Sequence, residues 1–472
     1  MERLRTDLCI IGAGSGGLSL AAGAAQMGAK VVLVEGDEMG GDCLNHGCVP
    51  SKALIAAAAA AEAQRRGAGL GVAPIEPDID YAVAMAHVRR VINAIASHDS
   101  QERFEGLGVR VIRAWGRFVS GTELEAGAAR ISARRFVVAT GSRPIVPPID
   151  GLASVPIVTN ETLFDLRERP DHLLVLGGGP VGLEMAQAHR RLGCRVTVME
   201  AARALGAEDP EIAAVALEAM RAEGVEILEE TRVERATGTK GAIRLETSAG
   251  PVRGTDLLVA AGRSANTERL NLTAAGVDFD SQGVSVDARL RSSNRRVYAI
   301  GDAAAGQPRF THAAGYHATV LARSILFGLP ARAATAHLPR VTYIDPEIAQ
   351  VGMTEAEARR AHGASLEVIR VPFSRADRAI ASGRTDGLVK IMVHRGRPVG
   401  AAVVGAAAGD LIAPWALMIA NRLKMKAMAN TVLPYPTLAE IGKHATGAYF
   451  SRMLFDSCLV RAWVTRVQRH IP

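Results

Sequence analysis

The sequence predicts an α/β protein built on two dinucleotide-binding units, and three observations carry that prediction. A glycine turn of the form G-x-G-x-x-G occurs twice, at Gly12, Gly14 and Gly17 and again at Gly177, Gly179 and Gly182. Each turn follows a short apolar strand and opens a helix of small residues. Each unit then closes on a β-branched strand ending in an acid, with twenty-three positions from Gly12 to Glu35 and the same number from Gly177 to Glu200. A lone turn of this kind is a weak signal, but two copies with strand, helix and acid in register are specific.

In the first unit a strand at 8–11 leads into the turn, a helix is expected at 18–27, and a second strand runs over 31–35. In the second unit the strand is at 173–176, the helix at 183–192 and the acid-ended strand at 195–200. The first two glycines of such a turn let the backbone approach a pyrophosphate, the third lets helix pack on strand, and the helix N-terminus offers amides to the anion. Glu35 and Glu200 are then placed to accept hydrogen bonds from ribose hydroxyls. At the second site an acid disfavours a 2′-phosphate and predicts NAD, while Arg203 is the group that would hold the phosphate of NADP instead.

Farther along, Val297-Tyr-Ala-Ile-Gly301-Asp302 reads as a strand ending in Gly-Asp, whose carboxylate could hydrogen-bond a flavin ribityl chain. That assigns FAD to the first site. The runs Phe136-Val-Val-Ala-Thr140-Gly141-Ser142 and Leu257-Leu-Val-Ala-Ala261-Gly262-Arg263 read as crossover strands returning between the nucleotide domains.

Just after the first unit stand Cys43 and Cys48, five positions apart in the run from Gly40 to Lys52. In a regular helix residues at that spacing lie about 8 Å apart, whereas a disulfide wants Cα atoms roughly 4.4 to 6.8 Å apart. A bridge therefore needs a distorted first turn, which Gly47 and Pro50 make available. The alanine-rich stretch 53–65 is expected to be a helix whose N-terminus faces the pair and favours a thiolate. The bland alternative is a pair of buried structural thiols. No metal site is expected, because C-x4-C lacks a second C-x2-C or a His pair to complete four ligands.

At 472 residues the chain has room for about three domains, and 48% apolar residues give each a core. Five cysteines are too few for a secreted disulfide framework, so a cytoplasmic location is expected. The glycine turn follows Met1 so closely that no cleavable signal is expected. The most apolar stretch, 399–420, is interrupted by Asp410 and Pro414 and reads as a strand plus a helix rather than a membrane span. The net charge of +7 is scattered and aromatics are only 4%, so nucleic acid is not an expected partner.

Over essentially its full length the chain resembles the class I pyridine nucleotide-disulfide oxidoreductases, flavoproteins that include dihydrolipoamide dehydrogenase, glutathione reductase and mercuric reductase. The first fingerprint, the box G-x-x-C-x4-C-x-P-S-K, the second fingerprint and Gly301-Asp302 occur in the family's order. The resemblance implies two Rossmann-like domains, for FAD and NAD(P), plus a C-terminal α+β dimerisation domain. It places FAD on 1–148 and 265–335, NAD(P) on 149–264, and a homodimer-forming domain on 336–472, with 341–352 as that domain's opening strand. The cofactor contacts it implies comprise Gly12, Gly14, Gly17, Glu35, Gly41, Asp42, Lys52, Gly116, Thr140, Gly141, Ser142, Asp302, Thr311 and His312, together with Gly177, Gly179, Gly182, Glu200, Gly262 and Arg263.

The same resemblance implies that NAD(P)H reduces the flavin, which passes two electrons to a Cys43–Cys48 disulfide. Cys48 is the thiolate in charge-transfer contact with the flavin, Cys43 attacks the substrate, and Lys52 pairs with Glu184 beside the flavin ring. The substrate is then a small or protein-bound disulfide or thiol-bound species, of dihydrolipoamide dehydrogenase type before mercuric reductase type. Electron transfer to a quinone or dioxygen, or a non-enzymatic redox sensor, are the alternatives.

Two departures from the family pattern bear on the substrate. Disulfide reductases carry His-Pro-x-x-x-Glu near the C-terminus, and this chain reads Tyr435-Pro436-Thr437-Leu-Ala-Glu440. Tyrosine, with a pKa near 10 against about 6.5 for histidine, is the poorer proton shuttle, though Tyr435 and Glu440 stay the candidates for that role. Tyrosine here resembles mercuric reductases, yet their terminal cysteine pair is replaced by Cys458 alone and no N-terminal C-x2-C domain is present. His46, between the redox cysteines, reads as a loop residue with a local base as the alternative, and His444 as a surface residue. The tail over 449–471 carries Leu459, Val460, Trp463, Val464 and Val467 at helical spacing beside Arg461, Arg466 and Arg469. It is expected to pack on its own domain, with peripheral membrane contact as the alternative.

Overall fold

The computed structural model describes residues 1–470, the side chains of Arg452 and Met453 excepted. The chain forms two compact units, one of residues 1–65, 75–202 and 226–335, the other of 66–74, 203–225 and 336 onward.

The first unit contains both glycine turns. Val31–Glu35, read as a strand from its β-branched run, is buried along its whole length, as a strand covered on both faces must be. It pairs in parallel with Glu2–Ile11 on one side and Arg110–Arg113 on the other. Glu2–Ile11 pairs in parallel with Ala129–Val138, which in turn takes Val297–Ala299 as a parallel neighbour. The second sheet repeats the plan, with Glu226–Leu228, Arg195–Met199, His172–Leu176, Asp256–Val259 and Ile157–Val158 side by side and all parallel. The expected crossover strands are thus the strands lying beside each fingerprint strand. The helices behind the turns run Ser15–Gln26 and Pro180–Arg191, each starting directly after its second glycine.

In the second unit an antiparallel sheet is ordered Arg340–Thr342, Glu347–Gly352, Arg397–Gly405, Leu388–His394 and Leu366–Pro372. The single opening strand expected at 341–352 is instead a hairpin, with Thr342 opposite Ile348. Pro346, which has no N–H to give a ladder, falls in the connection and not in a strand. Phe373, Trp415 and Met425 fill the core beneath the sheet. Lys390 is buried in that sheet and held by Asp209, Glu211 and Glu355 at 2.8, 2.8 and 2.5 Å. The stretch 399–420 is a strand followed by two short helices, Ala408–Leu411 and Ala413–Ala420, where a strand and a single helix were expected.

The tail corrects its expectation twice. Two helices, Glu440–Phe455 and Cys458–His470, replace a single run, because the Ser457 hydroxyl accepts from Val460 N at 3.3 Å and so caps a new helix. No residue of Cys458–His470 is fully buried: Val460 and Val467 are half-buried while Leu459, Trp463 and Val464 are exposed, so the helix packs only part of its apolar stripe on its own unit. The Ile471 end of the expected tail, like Pro472, lies outside the described residues.

Candidate active site

The two glycine turns have the shape that a dinucleotide needs, and have it twice. A Cβ on Gly12 (φ +109°) would meet Ala139 O at 2.3 Å, and one on Gly177 (φ +117°) would meet Ala260 O at 2.5 Å. A Cβ on Gly17 or Gly182 would lie 1.9 or 2.0 Å from the first glycine's carbonyl. These four positions exclude a side chain because protein is already there. Gly14 and Gly179 differ, since a Cβ on either meets nothing within 4 Å. Open space above a bare backbone at the head of a helix is what a pyrophosphate requires, so the residues fit FAD and NAD(P).

Each terminal acid is tied to its own turn. Glu35 Oε2 accepts from Ala13 N at 2.5 Å and Oε1 from Asp37 N at 2.7 Å. Glu200 Oε2 accepts from Gly178 N at 2.8 Å and Oε1 from Ala202 N at 2.9 Å. Burial pushes the Glu35 carboxyl above the usual range, and the two amide donors oppose that shift. Arg203 is exposed.

The redox loop is seated against the first turn. Gly40 N donates to Ala13 O at 2.9 Å, and Gly40 and Gly41 both take left-handed backbone angles that a side chain would strain. Cys43 lies in the short helix Gly41–Asn45, and Cys48 is the first residue of Cys48–Arg65. The helix expected to start at Ala53 therefore begins five residues earlier, and the distortion between the cysteines is a break at His46 and Gly47. Both cysteines are free thiols. A hydrogen bond from Cys43 holds the Cys48 thiol down at about 6, with Thr311 and the charge of Lys52 adding to it. The same bond pushes the Cys43 thiol up. Cys48 Sγ lies 3.4 Å from Thr311 Oγ1, at the start of the helix Thr311–Leu321. Cys43 lines a cavity of about 360 Å³ together with Ser15, Ser19, Asp99, Arg103 and Thr311.

Lys52 Nζ donates to Glu184 Oε2 at 2.8 Å, the pairing that the family resemblance implies. Asp302 accepts from the Ser142 hydroxyl at 2.6 Å, and burial raises its carboxyl. Arg263 gathers several expected residues: its guanidinium donates to Ser142 Oγ at 2.7 Å and Ser142 O at 2.8 Å, and lies 3.1 Å from Asp42 Oδ1. Thr140 Oγ1 donates to Asn266 O at 2.6 Å, which ties the end of one crossover strand to the segment after the other. Gly141 (φ +69°) and Gly262 (φ +132°) make the two turns that follow those strands. Gly116 is packed among Leu124, Ile11 and Val34, and His312 stacks on Phe310 at 5.3 Å. His46 lies 3.6 Å from Glu38 and is half-buried.

Sequence reading missed Asn160. Its amide donates to Asp42 Oδ1 at 3.0 Å and to the His46 carbonyl at 3.2 Å, so it braces the redox loop from both sides of Cys43. A single asparagine between Thr159 and Glu161 carries no motif that would have marked it.

Tyr435 and Glu440 belong to the second unit. The Tyr435 hydroxyl is exposed and donates to Asp377 Oδ2 at 3.0 Å, which raises the phenol above its ordinary value. Glu440 Oε2 accepts from Thr437 N at 3.2 Å, and His444 is exposed.

Comparison with known proteins gives these features a context. Residues 6–318 match the pyridine nucleotide-disulphide oxidoreductase family and residues 338–446 its dimerisation domain. A mercuric reductase of Streptomyces lividans is 36% identical over 466 residues, covering 96% of this chain and 98% of that protein. A dihydrolipoyl dehydrogenase of Thermus scotoductus is 35% identical, covering 92% of this chain and 95% of that protein. The solved structure of the HOCl-induced flavoprotein disulfide reductase RclA from Escherichia coli superposes with a TM-score of 0.83 at 26% identity, covering 93% and 99% of the two chains. Among the described residues no helix is long and apolar enough to cross a membrane. The twin nucleotide turns, the cysteine pair set between them and these matches show that the chain belongs to the pyridine nucleotide-disulphide oxidoreductase family, enzymes that use FAD and NAD(P)H and here carry the family's dimerisation domain.

Proposed function

We propose that this NAD(P)H-dependent flavoprotein uses Cys43 to capture a small thiol-bound substrate, and that a soft metal ion held by thiolates suits it better than dihydrolipoamide. The observation that carries the reading is the division of labour in the cysteine pair: half-buried Cys43 lies on the wall of a 360 Å³ cavity, and Cys48, the more exposed of the two, is the stabilised thiolate beside Thr311.

Gly12, Gly14, Gly17, Glu35, Ser142 and Asp302 would hold FAD, and Gly177, Gly179, Gly182 and Glu200 the nicotinamide nucleotide. Domain limits of 1–148 with 265–335, 149–264 and 336–472 belong to the same reading. Bound FAD supplies the two-electron exchange between nicotinamide and dithiol. On the protein side, Cys43 replaces one thiolate on the incoming metal complex, and the released thiolate leaves with the Cys43 proton. Cys48 then displaces the second thiolate, so each exchange breaks one metal–sulfur bond and makes another. For a mercuric bis-thiolate the balance is one NAD(P)H and one proton in, elemental mercury, two thiols and NAD(P)⁺ out.

The tyrosine at 435 favours this substrate class. Oxidising dihydrolipoamide requires a base that accepts thiol protons near neutral pH, and a phenol raised by Asp377 stays protonated there. Reducing a metal ion removes no proton from a substrate thiol, so a neutral phenol is no handicap. The proteins named mercuric reductase in Streptomyces lividans and Acidithiobacillus ferrooxidans, matching 96% and 92% of this chain, support the same choice. The test is anaerobic NADH and NADPH oxidation by the FAD-loaded protein with mercuric ion in excess thiol, with lipoamide, and with a quinone. Mercuric turnover that Cys43→Ser abolishes is the expected result. Turnover with lipoamide alone would refute the metal reading, and quinone turnover surviving Cys43→Ser would refute the dithiol route.

A further inference from the structure

We infer that the terminal helix Cys458–His470 lies flat on an anionic lipid surface. It follows the matched dimerisation domain, which ends at residue 446, and is joined to the rest of its unit through Glu440–Phe455. Leu459, Val460, Trp463, Val464 and Val467 fall on one face of the helix. Among them Leu459 is 78%, Trp463 64% and Val464 50% exposed while Val460 and Val467 are half-buried, and Leu454 and Phe455 just before the helix extend the uncovered apolar surface.

Charge decides what would cover that face. The helix holds Arg461, Arg466, Arg469 and His470 and no Asp or Glu. A face of leucine, valine and tryptophan on a helix whose charged residues are all cations, with Asp456 the acid that precedes it, complements a surface that is apolar below and uniformly negative above, which is the interfacial zone of an anionic bilayer. Thirteen residues, about 20 Å of helix, are too short to span the membrane and suited to lie in its plane. Trp463 is the side chain that settles at the headgroup level.

The experiment uses the full-length FAD-loaded protein and vesicles of phosphatidylcholine with or without phosphatidylglycerol. Sedimentation with the anionic vesicles, not with the neutral ones, is expected, together with a blue shift of tryptophan emission. The chain has three tryptophans, and a Trp463→Phe variant that still sediments but loses the shift assigns the signal. The double variant Leu459→Ser/Trp463→Ser should lose sedimentation, and exchanging the three arginines for glutamine should weaken it about a hundredfold. Absence of sedimentation at every anionic content would overturn the inference. So would a double variant that sediments as well as the parent, or one that loses the dimer in gel filtration, since the face would then be covered by a second copy.

Discussion

Lys52 Nζ and Glu184 Oε2 stand 2.8 Å apart, and that pair ties the helix starting at Cys48 to the helix starting at the second glycine turn. Glu184 is buried while Lys52 is partly open, so the carboxylate fixes where the ammonium sits. The Lys52 charge also helps hold the Cys48 thiol down. Lys52→Met is expected to raise the pH at which Cys48 ionises and to lower kcat about a hundredfold, the cost of one well-placed charge. Stopped-flow reduction and pH-dependent alkylation separate the two effects.

The pH dependence of the cysteine pair has a definite sign. Cys48 is lowered to about 6, chiefly by the hydrogen bond from Cys43, so its thiolate is present above that pH and lost as pH falls through it. Iodoacetamide labelling of Cys48, followed by mass spectrometry, should therefore rise with a midpoint near 6. Cys43→Ala removes the donor and should move the midpoint toward the ordinary thiol value. An unchanged midpoint would show that Cys43 is not what stabilises the thiolate.

Substitution within a single glycine turn should give two distinct failures. At Gly182 a Cβ collides with Gly177 O at 2.0 Å, so Gly182→Ala should disrupt the second nucleotide unit and lower stability by a few kcal/mol. At Gly179 the Cβ meets nothing, so Gly179→Ala should fold, keep its flavin and raise the KM for NAD(P)H at least about tenfold. Flavin content and thermal melts distinguish the pair.

Tyr435→His should restore a proton acceptor that titrates near neutral pH. Turnover of lipoamide or another disulfide is then expected to rise about tenfold or more, the scale of general-base assistance. Steady-state assays across pH 6 to about 9 would show the gain following histidine deprotonation. No gain would place the residue outside the reaction.

Lys390 is 2% exposed and Asp209 likewise 2%. Lys390→Met would strand a buried carboxylate, at a cost of about 3 kcal/mol. Chemical denaturation should register it, and the double variant Lys390→Met/Asp209→Leu should recover part of the loss.

The parts of the fold and site read correctly from sequence are those encoded locally. Gly12 to Glu35 and Gly177 to Glu200 are continuous strand, turn and helix, so spacing alone reveals them. Partners far apart in the chain were out of reach. Thr311 was expected among the cofactor contacts, but its place beside Cys48 spans 263 positions, and nothing at either end predicts the other. Asn160 braces Asp42 across 118 positions with no motif of its own. The hairpin within 340–352 was legible in principle through Pro346, and the cap at Ser457 through the serine that precedes a helical pattern. Whether the terminal helix is covered depends on tertiary packing, which amphipathic spacing does not encode.

The way Glu200 is fastened bears on coenzyme engineering. Replacing the acid at the end of this strand with a neutral or basic residue is the direct route from NADH toward NADPH use. Here both carboxylate oxygens already hold the backbone of Gly178 and Ala202. Such an exchange would release the second glycine turn along with the ribose contact proposed for Glu200, and affinity for both coenzymes is expected to fall together. A swap of preference in this chain has to leave Glu200 in place and recruit a cation beside it.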